Sequence, residues 1–317
     1  ENKVNQYMNK LLDTDNKDYV IASDTDSIYV TFDKLVEKFN PKNTVNFLDT
    51  IAKEKLEPFI DKSYQELADY TNAYAQKMQM KREVIADKGI WTAKKRYILN
   101  AHDVEGVRYK EPQLKIMGIE AVKSSTPAPC RQKIKDALKI IMSGNEKMLN
   151  TFIQEFRKEF MSLPPEDIAY PRSVNGITKF TDNELSRDMT RKRRENRQKT
   201  LIGTLDNTEV KYGLFAASAP IHVKGAILYN HLIEKKNLSK KYPYIQEGDK
   251  IKFLHMVEPN VYQSSAISFM TKLPKEFDVR GNLDYNTQFE KSFIEPLKFI
   301  TDRILWKIDN SYGTQGT

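Results

Sequence analysis

Tyr19-Val20-Ile21-Ala22-Ser23-Asp24-Thr25-Asp26-Ser27-Ile28-Tyr29-Val30 is the stretch on which the reading of this chain turns. Two apolar runs, Tyr19 to Ala22 and Ile28 to Val30, flank a tetrapeptide of turn-forming residues, the pattern of a β-hairpin with carboxylates at its tip. On extended backbone, side chains two positions apart point to one face, so Asp24 and Asp26 are expected side by side. Two carboxylates so placed repel each other unless a proton or a cation neutralises them. Mg²⁺ suits such a site because it takes few carboxylates, keeps several waters and shares substrate phosphates. A two-metal phosphoryl-transfer centre is therefore one reading. An ordinary surface turn is the other, and the tetrapeptide alone does not separate them.

The 317 residues are enough for one large or two ordinary domains, and a hydrophobic share of 39% is enough for a core. Lys and Arg outnumber Asp and Glu by 51 to 43, a net charge of +8 that suits a polyanionic partner such as nucleic acid. One cysteine, Cys130, excludes a disulfide framework within the chain. His102, His222, His231 and His255 are scattered and lack cysteine neighbours at ligand spacing, which argues against zinc. No apolar stretch reaches membrane-spanning length. The chain opens at Glu1 within a helical pattern (Val4, Tyr7, Met8, Leu11) and reads as part of a longer or divided polypeptide.

After the hairpin, the spacing of Val45, Leu48, Ala52, Leu56, Phe59, Leu67, Tyr70 and Tyr74 predicts a long helix over 43–80, kinked or split at Pro58. Strand-like runs follow at Glu83 to Ala86, Arg96 to Asn100 and Val107 to Tyr109. This order predicts an α+β fold, an antiparallel sheet backed by helices. The character changes at Ser125-Thr126-Pro127, where Thr126 is expected to cap a helix that Pro127 opens. Two apolar stripes, one ending at Gly144 and the other at Pro164-Pro165, predict an αα-hairpin at the start of a mostly helical second domain. We place the domains at residues 1–122 and 123–317. Arg187 to Lys199 holds seven basic and two acidic residues, and reads as a solvated loop or helix, or as a phosphate-contacting arm. Short strands are expected at 221–228 and 250–256, and a last helix at 289–308.

Lys94-Lys95-Arg96-Tyr97 is expected at the start of a strand, just after Trp91. A basic triplet there can guard a sheet edge against aggregation. It can equally grip a nucleic-acid strand, with lysines as mobile point charges, arginine as a planar fork, and a tyrosine face and hydroxyl for sugar or base.

Asp24-Thr25-Asp26-Ser27 followed by Lys94-Lys95-Arg96-Tyr97, with a long helical pattern between, resembles the palm of a family B DNA polymerase, most like the replicative enzymes of large tailed phages. The resemblance also runs through Glu1 to Asn5, Trp91 to Asn100 and Arg108 to Pro127, including Lys115-Ile116-Met117-Gly118 and Lys123-Ser124-Ser125-Thr126-Pro127. It continues through Pro220 to Gly225 and Glu247-Gly248.

The resemblance implies a partial palm followed by a thumb, and DNA-directed DNA polymerisation in the cytoplasm of an infected bacterium. It implies that Asp26 holds two catalytic Mg²⁺ ions directly, with Asp24 in support and Glu83 nearby. Thr25 and Ser27 would lie at the incoming nucleotide. Lys94, Lys95, Arg96 and Tyr97 would hold the primer. Lys123, Ser173, Asn175, His222 and Lys224 would contact duplex backbone from the thumb. The partners implied are primer–template DNA, a deoxynucleoside triphosphate and the remaining polymerase, which carries the first metal-binding aspartate, the fingers and the proofreading exonuclease. A sliding clamp is a further partner of the family, but the usual aromatic-rich clamp peptide is not found in Asn310 to Thr317. Ala22-Ser23 replaces the family's Tyr-Gly, and because glycine permits backbone shapes that serine does not favour, a change in turn geometry is expected. Other readings are a non-catalytic, thumb-like DNA-binding subunit with a vestigial turn, an Asp-x-Asp glycosyltransferase and a nuclease. The glycosyltransferase would need a nucleotide-binding unit ahead of Asp24, and the nuclease a further acidic or histidine cluster.

Overall fold

The computed structural model of the chain describes residues 1–181, 214–215 and 218–309. It forms two compact units, Glu1–Gly118 and Ile119–Thr317. Residues 119–122, assigned from sequence to the first domain, fold with the second.

In the first unit α1 (Asn2–Leu12) leads into a hairpin of β1 (Val20–Asp24) and β2 (Ser27–Val30). Next come α2 (Asp33–Phe39), α3 (Thr44–Ile51), a π turn at Ala52–Leu56, and α4 (Glu57–Tyr70). An antiparallel sheet of β3 (Val84–Ala93), β4 (Arg96–Val104) and β5 (Val107–Met117) completes the unit. Val4, Met8 and Leu12, one turn apart on α1, are buried with Tyr19, Val20, Leu35 and Leu56. The Asn5 side-chain carbonyl accepts the Tyr19 and Val20 N–H groups at 2.8 and 2.9 Å, which fastens the start of β1 to this helix.

The helix expected over 43–80 is interrupted and shorter. Proline has no N–H and its ring clashes with the carbonyl four residues back. At Pro58 the preceding turn widens into the π segment Ala52–Leu56, and the axis resumes as α4. Helix α4 stops at Tyr70. The Thr71 hydroxyl donates to the Leu67 carbonyl at 2.8 Å, Asn72 turns left-handed with φ 50°, and Tyr70 and Tyr74 stand exposed.

In the second unit α5 (Ala128–Ser143) and α6 (Glu146–Ser162) form the predicted αα-hairpin. Asn145 caps α6 by accepting the Met148 N–H at 3.0 Å. Helix α5 begins at Ala128 with Pro127 at its cap, and Thr126 is buried before it. Then follow α7 (Pro165–Ile168), β6 (Tyr170–Ser173), α8 (Ile177–Phe180), α9 (Ile221–Lys235), β7 (Lys250–His255), β8 (Ala266–Phe269) and α10 (Tyr285–Phe289). A second π turn, Glu290–Ile294, precedes α11 (Glu295–Thr301), again just ahead of a proline, Pro296. The helix expected at 289–308 thus starts earlier and ends in a 3₁₀ turn at Asp302–Ile304. Phe156, Phe160, Phe289 and Phe293 interlock in the core, with ring centroids 4.8 to 5.8 Å apart.

The strand expected at 221–228 is the first half of α9. Val223, Gly225, Ala226, Ile227, Leu228 and Tyr229 are all buried, and a segment covered on most sides shows no period that separates helix from strand. Gly225 permits the contact with β8, since a Cβ there would lie 2.5 Å from Ser268 Oγ. The basic stretch Arg187 to Lys199 lies outside the described residues.

A buried ionic cluster ties α3 to the three-stranded sheet. Asp103, 1% exposed on β4, accepts Arg82 Nη1, Arg108 Nε at 2.9 Å and the Gly106 N–H at 3.0 Å. Arg82 reaches on to Asp49 of α3 at 2.6 Å. Burial alone would push the Asp103 carboxyl up, but the Arg108 and Arg82 hydrogen bonds outweigh it and hold it below the usual range. The Lys53 hydrogen bond, with Arg82, does the same for Asp49. Groups depressed in the folded state stabilise above their unfolded pKa, and that contribution fades as pH drops below about 4. Asp103→Ala would leave Arg82 buried with one partner fewer, and should cost about 3–5 kcal/mol. Urea unfolding followed by Trp91 fluorescence in a Trp306→Phe background measures this, and a loss under about 1 kcal/mol would contradict it.

Candidate active site

The acidic turn closes tightly, with Asp24 paired to Ser27 across the hairpin and Thr25-Asp26 alone linking the strands. Thr25 adopts φ 52°, a left-handed conformation that a β-branched residue takes only under strain. Ser23 is ordinary strand, paired with Ile28, so the replacement of glycine there needs no special backbone. The Thr25 hydroxyl donates to Asp24 Oδ1 at 3.0 Å, and the Ser27 hydroxyl donates to the Asp24 carbonyl at 3.1 Å. Asp26 stands exposed at the tip, in the turn itself. Strand alternation from Asp24 therefore does not describe its direction. Its carboxylate has no hydrogen-bond or ion-pair partner among the described residues.

The lysines lie differently from the sequence expectation. Lys94 and Lys95 are the two-residue turn between β3 and β4, with Ala93 paired to Arg96 and Lys95 left-handed at φ 60°. Strand β4 begins only at Arg96. This puts two ammonium groups at a hairpin tip, as two carboxylates are at the other. Gly118, left-handed at φ 67°, lies against this turn so closely that a Cβ there would be 2.5 Å from the Lys95 carbonyl.

Tyr29 joins the two hairpins. Its ring meets Trp91 edge-on at 5.3 Å and Tyr97 at 5.4 Å, and Trp91 and Tyr97 are themselves cross-strand partners. Tyr97 is 9% exposed, so little of it is displayed to solvent. Burial raises the Tyr97 phenol well above its usual value, and a hydrogen bond with Tyr29 and the charges of Glu83 and Asp24 push the same way. The Asp24 and Glu83 carboxylates thus both act on one phenol. Glu83 precedes β3 and its carboxylate is ion-paired with Lys115 of β5. Among the described residues, no group of three or more His, Cys, Asp or Glu is placed to hold a metal. The hard oxygen pair of Asp24 and Asp26, without an ion-pair partner, suits part of a Mg²⁺ ligand set.

In the second unit one side chain that sequence reading passed over, Arg172, connects segments that carry some of the expected DNA-contacting residues. Arg172 donates to the Ser125 carbonyl at 3.2 Å, two residues from Lys123, and immediately precedes Ser173. Its charge also acts on His222, whose ring burial first, and Arg172 second, hold below the usual pKa. The signal for Arg172 was its place beside Ser173. Lys123 is ion-paired with Glu120 at 2.9 Å, and Lys224 lies 5.8 Å over the Phe215 ring. Asn175 is exposed in the loop before α8, where Glu247 accepts the neighbouring Gly176 and Ile177 N–H groups.

Two tips of opposite charge on a helix-backed antiparallel fold are the features that the family resemblance specifies. The chain belongs to the divergent family B DNA polymerases, whose family model matches residues 10–243. It is similar to the DNA-directed DNA polymerase of Enterobacteria phage T4, 33% identical over 313 residues that cover 93% of this chain and 31% of that protein. It is also similar to the DNA-directed DNA polymerase of Escherichia phage RB69, 35% identical over 320 residues covering 95% and 32%. The chain therefore spans about a third of the length of these relatives. Family membership sets aside the glycosyltransferase and nuclease readings. No helix among the described residues is long and apolar enough to cross a membrane.

Gly118→Ala should strain a left-handed backbone and push on the Lys95 carbonyl, at a cost above about 1 kcal/mol. Thermal unfolding tests this against Gly106→Ala, a left-handed site with open space around it. Equal losses at the two would show that contact with the lysine turn adds nothing.

Proposed function

We propose that this chain is the C-terminal section, end of palm plus thumb, of a template-directed DNA polymerase. Its acidic hairpin supplies part of a two-metal nucleotidyl-transfer site, and its lysine-tipped hairpin grips the primer. The observation that supports this reading is the packing of Tyr29, just after the acidic turn, against Trp91 and Tyr97 of the hairpin that carries Lys94 and Lys95. The substrates are primer–template DNA and a deoxynucleoside triphosphate. The remaining polymerase contributes the first metal-binding aspartate, the fingers and the exonuclease, and the reaction takes place in the cytoplasm of an infected bacterium.

The primer 3′ hydroxyl attacks the α-phosphate of the incoming nucleotide in line, forming a P–O bond as the bond to pyrophosphate breaks. Mg²⁺ bound at Asp26 and Asp24 would supply charge stabilisation for the attacking and leaving oxygens. Asp26, exposed at the tip, is the direct ligand. Asp24, held by the Thr25 hydroxyl, supports it. Thr25 and Ser27 stiffen the turn beside the nucleotide. Lys94, Lys95 and Arg96 neutralise primer phosphates, while Tyr97 braces them from beneath. In the second unit Lys123, Ser173, Asn175, His222 and Lys224 track the duplex backbone, with Arg172 binding their segments together.

Asp26→Asn in the full-length polymerase should lower kcat at least about 100-fold, roughly 2.7 kcal/mol of barrier, with little change in primer–template affinity. Single-turnover extension measures it, and wild-type turnover would remove the proposal. Lys95→Ala should instead weaken DNA binding and flatten its salt dependence by about one counterion. Fluorescence anisotropy over a salt series reads the slope, and an unchanged slope would remove Lys95 from the phosphate contacts.

A further inference from the structure

The two charged tips sit on separate sheets with no hydrogen-bonded ladder between them. Strand β2 works on two faces. Ile28 and Val30 pack against the α1 core, and Tyr29, between them, points to the other side. There it meets Trp91 and Tyr97, the cross-strand pair next after Ala93 and Arg96, which close the Lys94-Lys95 turn. Small residues make room for these rings. Ala22 is the cross-strand partner of Tyr29, and Gly89 lies under Trp91, where a Cβ would be 2.7 Å from the indole ring.

We propose that Tyr29 is a positioning residue for nucleotidyl transfer: its ring holds the metal-binding carboxylate tip in register with the primer-gripping lysine tip. This rests on the function proposed above. In this role Tyr29 need touch neither DNA nor nucleotide. It sets how far the primer terminus lies from the carboxylates, and small displacements of reacting groups carry large rate penalties. Its loss should therefore appear in turnover and leave DNA affinity, which Lys94, Lys95 and Arg96 supply through phosphates, nearly intact.

The test compares Tyr29→Leu, Tyr29→Phe and Asp26→Asn in the full-length polymerase. Tyr29→Leu should lower kcat about 10- to 100-fold while primer–template Kd and its salt slope stay at wild-type values. Tyr29→Phe, which keeps the ring, should recover most of that loss. A Tyr29→Leu enzyme within twofold of wild-type kcat, beside an inactive Asp26→Asn enzyme, overturns the inference and leaves the proposed function standing. An active Asp26→Asn enzyme overturns the proposed function instead, and the inference with it. A loss of DNA affinity as large as the loss of kcat also overturns the inference.

A physical readout is independent of activity. Nitroxides at Ser23→Cys and Lys88→Cys, in a Cys130→Ser background, report the spacing of the two hairpins. Tyr29→Leu should broaden or shift that distance distribution, and an unchanged distribution overturns the inference. Should Tyr29→Leu fail to fold, Tyr29→Met, which also removes the ring, carries the same test with the same outcomes.

Discussion

A carboxylate sealed from water must be met by donors on every side, and Asp103 imposes that condition on the whole first unit. Its oxygens take Arg82, Arg108 and the Gly106 N–H, and Arg82 carries the connection to Asp49 on α3. Three parts of the chain are therefore fixed to one another: α3, the approach to β3, and the turn between β4 and β5. Strand β4 is the one that begins with Arg96 and Tyr97. Its placement decides where the lysine turn stands and where Tyr29 finds its partners.

Several carboxylates of the first unit sit beside cations. Asp103, Asp49, Glu57 and Glu83 all have cationic partners. Asp24 and Asp26 have no ion pair among the described residues, and they ride on a turn whose Thr25 is held in a left-handed backbone. Like charges without counterions and a strained β-branched residue both work against local stability. What offsets them is the packing beneath: Asn5 on the start of β1, the α1 core on one face of β2, and the aromatic contacts of Tyr29 on the other. Local destabilisation upheld by surrounding structure is the usual mark of a working site rather than of a scaffold.

The prolines show how a sequence signal can be right in kind and incomplete in form. Pro58 announced a break, and a break exists, but as a widened turn that lets the axis continue. Pro296 produces the same solution in the second unit. The lysine turn is a similar case. Lys94 and Lys95 carry none of the glycine or asparagine that marks a two-residue hairpin, so the strand seemed to start two residues early. Lys95 accepts its left-handed backbone only because the β3–β4 ladder closes around it.

The acidic hairpin, the α+β class, the αα-hairpin and the family were legible in the residues because each rests on local chemistry. Apolar runs on either side of Asp24 to Ser27 and a stripe ending at Gly144 are short-range patterns. The helical state of 221–235, the partnership of Asp103 with Arg82, the Arg172 hydrogen bond to Ser125 and the ring contacts of Tyr29 could not be read this way. Each depends on groups brought together from distant parts of the chain, as Tyr29 is with Trp91 and Tyr97. Burial and pairing of that kind exist only once the elements have packed.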